Sequence, residues 1–208
     1  MLVESVMTRS VLTTQPTCSV HAAAQVMHEH RFRHLPVVER GRLVGIVSDR
    51  DLVRREGLTV GDVMRSSIVS VSPDTPVEVA ARLMLDNKIG ALPVLGGGTD
   101  DLVGIVTQSD IFDVFVRLLG ADRPTTRLEV QLTDLSRQLA EITSLAHQHG
   151  VRIASLVTLP EAAQRGRGHT VVLRIETIMA TRFVAELRHA GIDVAGPGER
   201  LTQATAHG

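Results

Sequence analysis

The sequence predicts a mixed α+β and α/β chain in two parts, a tandem pair of β-α-β-β-α repeats and then a β-α-β-β-α-β domain. Three observations predict it. A block of sequence returns at a fixed offset, each copy passes between strand-like and helix-like apolar spacing, and the pattern stops at Gly120-Ala121-Asp122-Arg123-Pro124. At 208 residues and 43% hydrophobic composition, the chain can bury two modest cores.

The duplication justifies the first part. Val3-x-x-Val6-Met7 returns as Val60-x-x-Val63-Met64, Pro16 as Pro73, Val20 as Val77, Ala23-Ala24 as Ala80-Ala81, and Leu35-Pro36-Val37 as Leu92-Pro93-Val94, each 57 residues on. After a turn two residues longer in the second copy, Leu43-Val44-Gly45-Ile46-Val47-Ser48-x-x-Asp51 returns as Leu102-Val103-Gly104-Ile105-Val106-Thr107-x-x-Asp110, 59 residues on. Each copy opens with a short strand, residues 11–14 and 68–71, and a proline turn. An amphipathic helix follows, with its apolar face at Val20, Ala23, Ala24 and Met27 or at Val77, Ala80, Ala81, Met84 and Leu85. A strand pair comes next (35–38 with 43–47, and its repeat), turning at Glu39-Arg40-Gly41-Arg42 or in the Gly96-Gly97-Gly98-Thr99-Asp100 loop. A closing helix starts at Asp49 in one copy and near Ser109 in the other.

The chemistry concentrates where strand meets helix. In Gly45-Ile46-Val47-Ser48-Asp49-Arg50-Asp51 a buried strand ends at a hydroxyl residue and a helix begins, so free backbone N–H groups and the positive end of the helix dipole gather beside Ser48. A carboxylate three residues on shares that face, where it can accept hydrogen bonds from a ribose diol while hydroxyl and amides hold phosphate. The same Ser-x-x-Asp spacing is also a capping box, which needs no ligand. Two copies, each behind Gly-Ile-Val and downstream of Leu-Pro-Val, favour the ligand reading.

Together these motifs resemble the CBS (cystathionine-β-synthase) domain, whose tandem pair is a Bateman module, over residues 2 to about 118. The resemblance implies a regulatory pair that binds an adenosine compound (AMP, ADP, ATP or S-adenosylmethionine) between the copies. It implies ribose contacts from Asp51 and Asp110, ribose-phosphate contacts from Ser48 and Thr107, and adenine packing on Ile46 and Ile105. Because such pockets combine both copies, Asp51 is expected to face Ile89, Gly90 and Ala91, and Asp110 to face Phe32, Arg33 and His34. Gly90 and Ala91 leave room for a purine, Arg33 and His34 reach toward phosphate, and Arg50 is a further phosphate candidate.

Beyond the break, the order is strand (127–132), helix (135–149), strand (152–159), polar loop (161–168), strand (170–175), helix (179–190) and strand (192–195). Leu135, Leu139, Ile142 and Ala146 form one helix face, and Met179, Phe183, Val184 and Leu187 the other. This βαββαβ order is a ferredoxin-like sandwich. The stretch Gln131-Leu132-Thr133-Asp134 with Gly150-Val151-Arg152-Ile153 resembles the ACT domain, but Ser136-Arg137 and Arg152 replace that family's Pro-Gly and Asn. These departures put dimerisation or docking of a partner enzyme ahead of an amino-acid ligand. Two CBS copies and one ACT-like domain resemble the layout of acetoin-utilisation proteins of the AcuB type. The expected domains are 1–57, 58–120 and 124–196, with a flexible tail over 197–208.

Composition narrows the function classes. With 22 basic and 23 acidic residues, no Trp, no Tyr and four Phe, the chain has neither the field nor the stacking platforms of a general nucleic-acid binder. One cysteine, Cys18, excludes an internal disulfide; Glu4 precedes any apolar run, so no signal peptide is expected; and no apolar stretch nears the roughly 20 residues of a membrane span. A cytoplasmic protein is expected, and the resemblance to CBS and ACT domains implies a homodimer. His28-x-His30 and His147-x-His149 point to different helix faces, so no metal site is expected. No nucleophile with a matched base is evident, so no catalysis is expected.

Overall fold

The computed structural model describes residues 1–53, 58–96, 98, 101–159, 168–177 and 180–195. Within the predicted elements, Gly97, Thr99 and Asp100 of the second hairpin loop, most of the 161–168 loop, Met179 and the 197–208 tail lie outside the described residues. The chain divides into two compact units, Met1–Val114 and Phe115–Gly208.

In the first unit each copy contributes a helix and a hairpin. Copy one has α1 (Val20–His30), β1 (His34–Glu39), β2 (Arg42–Ser48) and the short α2 (Asp49–Leu52). After α3 (Val60–Val63), copy two has α4 (Val77–Asn87), β3 (Ala91–Leu95), β4 (Leu102–Thr107) and α5 (Gln108–Leu118), within which the division between units falls. β1–β2 and β3–β4 are separate antiparallel pairs in matching register, with a bulge after Val37 in one and after Val94 in the other. The first pair turns through Arg40 (φ 52°) and Gly41 (φ 82°), two consecutive left-handed residues that match the strand twist.

Two expectations are corrected. The opening strands at 11–14 and 68–71 reduce to single parallel bridges, Thr14 to Val37 and Val71 to Val94, because each meets only one edge of a two-stranded pair. Leu85 lies on the solvent side of α4 at 69% exposure, because Val77, Ala80 and Met84 complete the buried stripe without it.

The two copies exchange their lead-ins. Val3 and Met7 pack in the core of copy two, with Leu92, Val94 and Val106, while Val60, Val63 and Met64 pack in that of copy one, with Leu35, Val37 and Val47. Backbone bridges follow the same exchange, Thr8 with Ile105 and Arg65 with Ile46. Met7 lies over Gly104 and Met64 over Gly45, so closely that a Cβ on either glycine would stand 2.6 or 2.5 Å from the thioether sulfur. Neither core is complete without the other copy, so the unit folds as one body.

The second unit is built from β5 (Thr126–Leu132), α6 (Leu135–Gln148), β6 (Arg152–Leu159), β7 (His169–Glu176), α7 (Ala180–His189) and β8 (Asp193–Ala195). The sheet order is β6-β7-β5-β8 with every pairing antiparallel, the arrangement expected of the ferredoxin-like order. Alternate residues Leu128, Val130 and Leu132 of β5 and Val171, Leu173 and Ile175 of β7 meet Ile142 and Ala146 of α6 and Phe183, Val184 and Leu187 of α7 in one core. Gly168 crosses β5 so tightly that a Cβ would lie 2.2 Å from the Leu132 carbonyl oxygen. Only glycine fits there.

Candidate functional site

Both strand-to-helix junctions form the same local structure. Ser48 keeps an extended backbone at the N-cap of α2, and its N–H and Oγ donate to Asp51 Oδ2 at 2.9 and 2.6 Å. At the start of α5, Thr107 N–H and Oγ1 donate to Asp110 Oδ2, both at 2.7 Å. The capping box is therefore built in both copies, and Oδ2 of each carboxylate is committed to it. Oδ1 of each carboxylate takes no part in the box. A third box, Thr59 to Asp62 at 2.9 and 2.7 Å, opens α3, so the box by itself marks a helix start and not a site. Those hydrogen bonds from Thr59 hold the Asp62 carboxyl below its usual value.

The segments before Leu-Pro are tied to these junctions. Asp49 N–H donates to the Arg33 carbonyl at 2.9 Å, and Gln108 N–H to the Gly90 carbonyl at 3.0 Å, one bond per copy at matching positions. Phe32 packs on the core of copy one and Ile89 on that of copy two, while Ala91 and Ile105 are buried. Ile46, Ser48, Asp51, Thr107 and Asp110 are half-buried, and Arg33 and Arg50 are exposed.

Across the seam between copies, the His34 imidazole lies against Gly90, its Cε1 2.9 Å from where a Cβ on Gly90 would stand. The space that Gly90 leaves is thus filled by the histidine ring. Burial pushes the His34 pKa below its ordinary value, against the attraction of Asp49 and Asp51 and with the repulsion of Arg33 and Arg50.

Two flanking residues escaped the sequence reading. The exchanged lead-in, paired to Ile46 at 3.1 and 2.9 Å, carries Arg65, whose Nη2 lies 3.9 Å from Asp51 Oδ1. The matching position in the other half, paired to Ile105, is Thr8. Repeat alignment shows this Arg65/Thr8 difference, but not which copy each lead-in joins. A cavity of about 650 Å³ opens nearby in copy one, lined by Met27, His28, Arg31, Phe32, Arg33 and Asp49 among others; it contains neither Asp51 nor Asp110.

In the second unit, the turn between β5 and α6 satisfies itself. Gln138 Oε1 accepts from Thr133 N–H at 2.7 Å and Asp134 N–H at 2.9 Å, and Asp134 caps α6 through Arg137 N–H at 3.0 Å. Among the described residues, no three His, Cys, Asp or Glu side chains form a metal-binding group, and no helix is long and apolar enough to cross a membrane.

Comparison with known proteins gives the class. The CBS-domain family profile matches residues 3–57 and 60–117, and the chain belongs to that family as a tandem pair. It is 36% identical over 116 residues to the CBS domain-containing protein YhcV of Bacillus subtilis, covering 52% of this chain and 81% of that one. It is 38% identical over 111 residues to an inosine-5'-monophosphate dehydrogenase of Korarchaeum cryptofilum, spanning only 23% of that enzyme's length. Among solved structures, the CBS pair of protein MJ0100 with 5'-methylthioadenosine and S-adenosylmethionine aligns over 59% of this chain and 98% of its own (TM-score 0.54, 28% identity). CBSX2 of Arabidopsis thaliana, in complex with AMP, aligns over 59% and 98% (TM-score 0.52, 31% identity). A Vibrio cholerae structure described as an AcuB acetoin-utilisation protein aligns over 60% and 98% (TM-score 0.52, 34% identity).

Proposed function

We propose that the chain is a non-catalytic regulatory protein that binds an adenine nucleotide or other adenosyl compound between its CBS repeats. The observation that carries this reading is the duplicated junction. Two half-buried carboxylates, Asp51 and Asp110, sit at matching N3 positions, each with one oxygen outside the capping box, which at Asp51 lies 3.9 Å from Arg65 Nη2; a ribose diol would approach those oxygens. The AMP, methylthioadenosine and S-adenosylmethionine held by similar CBS pairs support the same ligand class. In this reading the contacts come from Ile46, Ser48, Arg50 and Asp51 with Ile89, Gly90 and Ala91, and from Ile105, Thr107 and Asp110 with Phe32, Arg33 and His34. The signal passes through a cytoplasmic homodimer and an ACT-like domain over 124–196, with CBS repeats at 1–57 and 58–120.

The mechanism is differential binding. The exchanged lead-ins join the copies into one body, so a ligand touching both favours one relative orientation and shifts the population in proportion to that preference. A thermal-shift panel of AMP, ADP, ATP, S-adenosylmethionine and free amino acids tests the reading. A true ligand at 100 times its Kd adds about 2.7 kcal/mol of stability, and substituting the ribose carboxylate removes the gain. A flat panel rejects it.

The completed capping boxes and the ring filling the space at Gly90 favour a second reading, in which the pair stands without a ligand and the chain docks on a partner enzyme. A flat panel together with retained partner binding by Asp51→Asn and Asp110→Asn variants is its expected result.

A further inference from the structure

The two carboxylates share their hydrogen bonds but not their charged neighbours. Oδ2 of each accepts twice, from Ser48 N–H and Oγ at Asp51 and from Thr107 N–H and Oγ1 at Asp110. A carboxylate offers about four acceptor positions, so about two remain on each Oδ1, as many as a ribose diol needs. At Asp51 that oxygen has the Arg65 guanidinium 3.9 Å away. The exchanged lead-in holds the Arg65 backbone in place, its N–H donating to the Ile46 carbonyl at 2.9 Å and its carbonyl accepting from Ile46 N–H at 3.1 Å. Thr8 makes the same two bonds with Ile105, at 2.9 and 3.0 Å. The matching backbone position in the other half therefore carries a short, neutral side chain.

We infer that Arg65 is a specificity-determining residue that makes the two halves unequal: paired with Asp51, it competes with the ribose diol for Oδ1, so that Asp110 is the carboxylate that fills first. This rests on the nucleotide-binding reading above and adds which half takes the ligand. A ligand entering at Asp51 must displace the guanidinium, whereas one entering at Asp110 meets no such pair from Thr8. The competition is for the ribose, so it acts on uncharged adenosine as it does on AMP. An ion pair with one exposed partner shifts such an equilibrium by up to about fivefold.

The test is calorimetric titration of the full chain with adenosine and with AMP, reading each half by itself: Asp110→Asn leaves the Asp51 half, and Asp51→Asn leaves the Asp110 half. The expected result is weaker binding by Asp110→Asn than by Asp51→Asn. Adding Arg65→Thr to Asp110→Asn should tighten both ligands about three- to fivefold, and adding Thr8→Arg to Asp51→Asn should weaken both by a similar factor. Arg65 and Thr8 have exposed side chains and bridge through their backbones, so both exchanges should leave the urea midpoint near that of the parent variant. No gain from Arg65→Thr overturns the inference and leaves nucleotide binding standing. So does a loss with AMP but not with adenosine, which would make the guanidinium a phosphate contact. Absence of binding of both ligands by folded wild type overturns both readings.

Discussion

Asp110→Ala removes two things at once, the N3 partner of Thr107 and the oxygen offered to a ligand. The first loss alone is expected to cost about 1 kcal/mol, measured by denaturant unfolding without ligand. Asp110→Asn keeps an acceptor for the box and loses the charge, so it should unfold near wild type yet bind adenosine compounds more weakly. Both carboxylates were legible because the Gly-Ile-Val-[Ser/Thr]-x-x-Asp spacing recurs, whereas commitment of one oxygen to the box depends on the rotamer, which spacing does not encode. His34 adds a pH effect in the ligand-free protein. Its folded pKa lies below the ordinary 6.5, so the unfolded chain binds more protons in that window and stability falls as pH drops below about 6.5 toward the folded value. Urea unfolding from pH 8 to 5 should show this slope in wild type and a smaller one in His34→Asn.

Helix ends and lead-ins show what the sequence reveals about elements. In the second unit, Gly150 (φ 63°) and Gly191 (φ 76°) end α6 and α7 in the left-handed conformation, and both endings read directly from sequence. In the first unit Arg31 (φ 58°) and Lys88 (φ 54°) do the same for α1 and α4 without glycine, held by Phe32 N–H to the Met27 carbonyl and Ile89 N–H to the Met84 carbonyl. Lys88→Gly is exposed and relieves this conformation, so thermal unfolding should show a gain of about 0.5–1 kcal/mol; no gain would mean the left-handed turn costs nothing here. Gly45→Ala and Gly104→Ala force a Cβ against Met64 or Met7 and should each cost about 1–3 kcal/mol, read by denaturant midpoint. The exchange of lead-ins explains why those glycines matter. The repeat aligned Val3 with Val60 and Met7 with Met64, but repeat alignment gives no direction across a duplication, so the core each joined appeared only in three dimensions.

At the scale of the whole molecule, the duplication and the β-α-β-β-α-β order were legible because each depends on patterns that persist over tens of residues. The seam was not, since it joins positions about 56 residues apart, His34 and Gly90, through a contact that neither copy contains alone. A regulatory pair should change shape with its ligand, so small-angle scattering with and without saturating nucleotide is expected to differ; superimposable curves would remove the switching mechanism while leaving binding intact. The central claim is that the duplicated carboxylates hold an adenosine compound. Isothermal titration of AMP into wild type, Asp51→Asn and Asp110→Asn tests it most directly. Saturable binding with a stoichiometry of one or two per chain, weakened at least tenfold by one of the two substitutions, is the predicted result. Undetectable binding to folded wild type at millimolar AMP, or equal affinity in all three proteins, would contradict it.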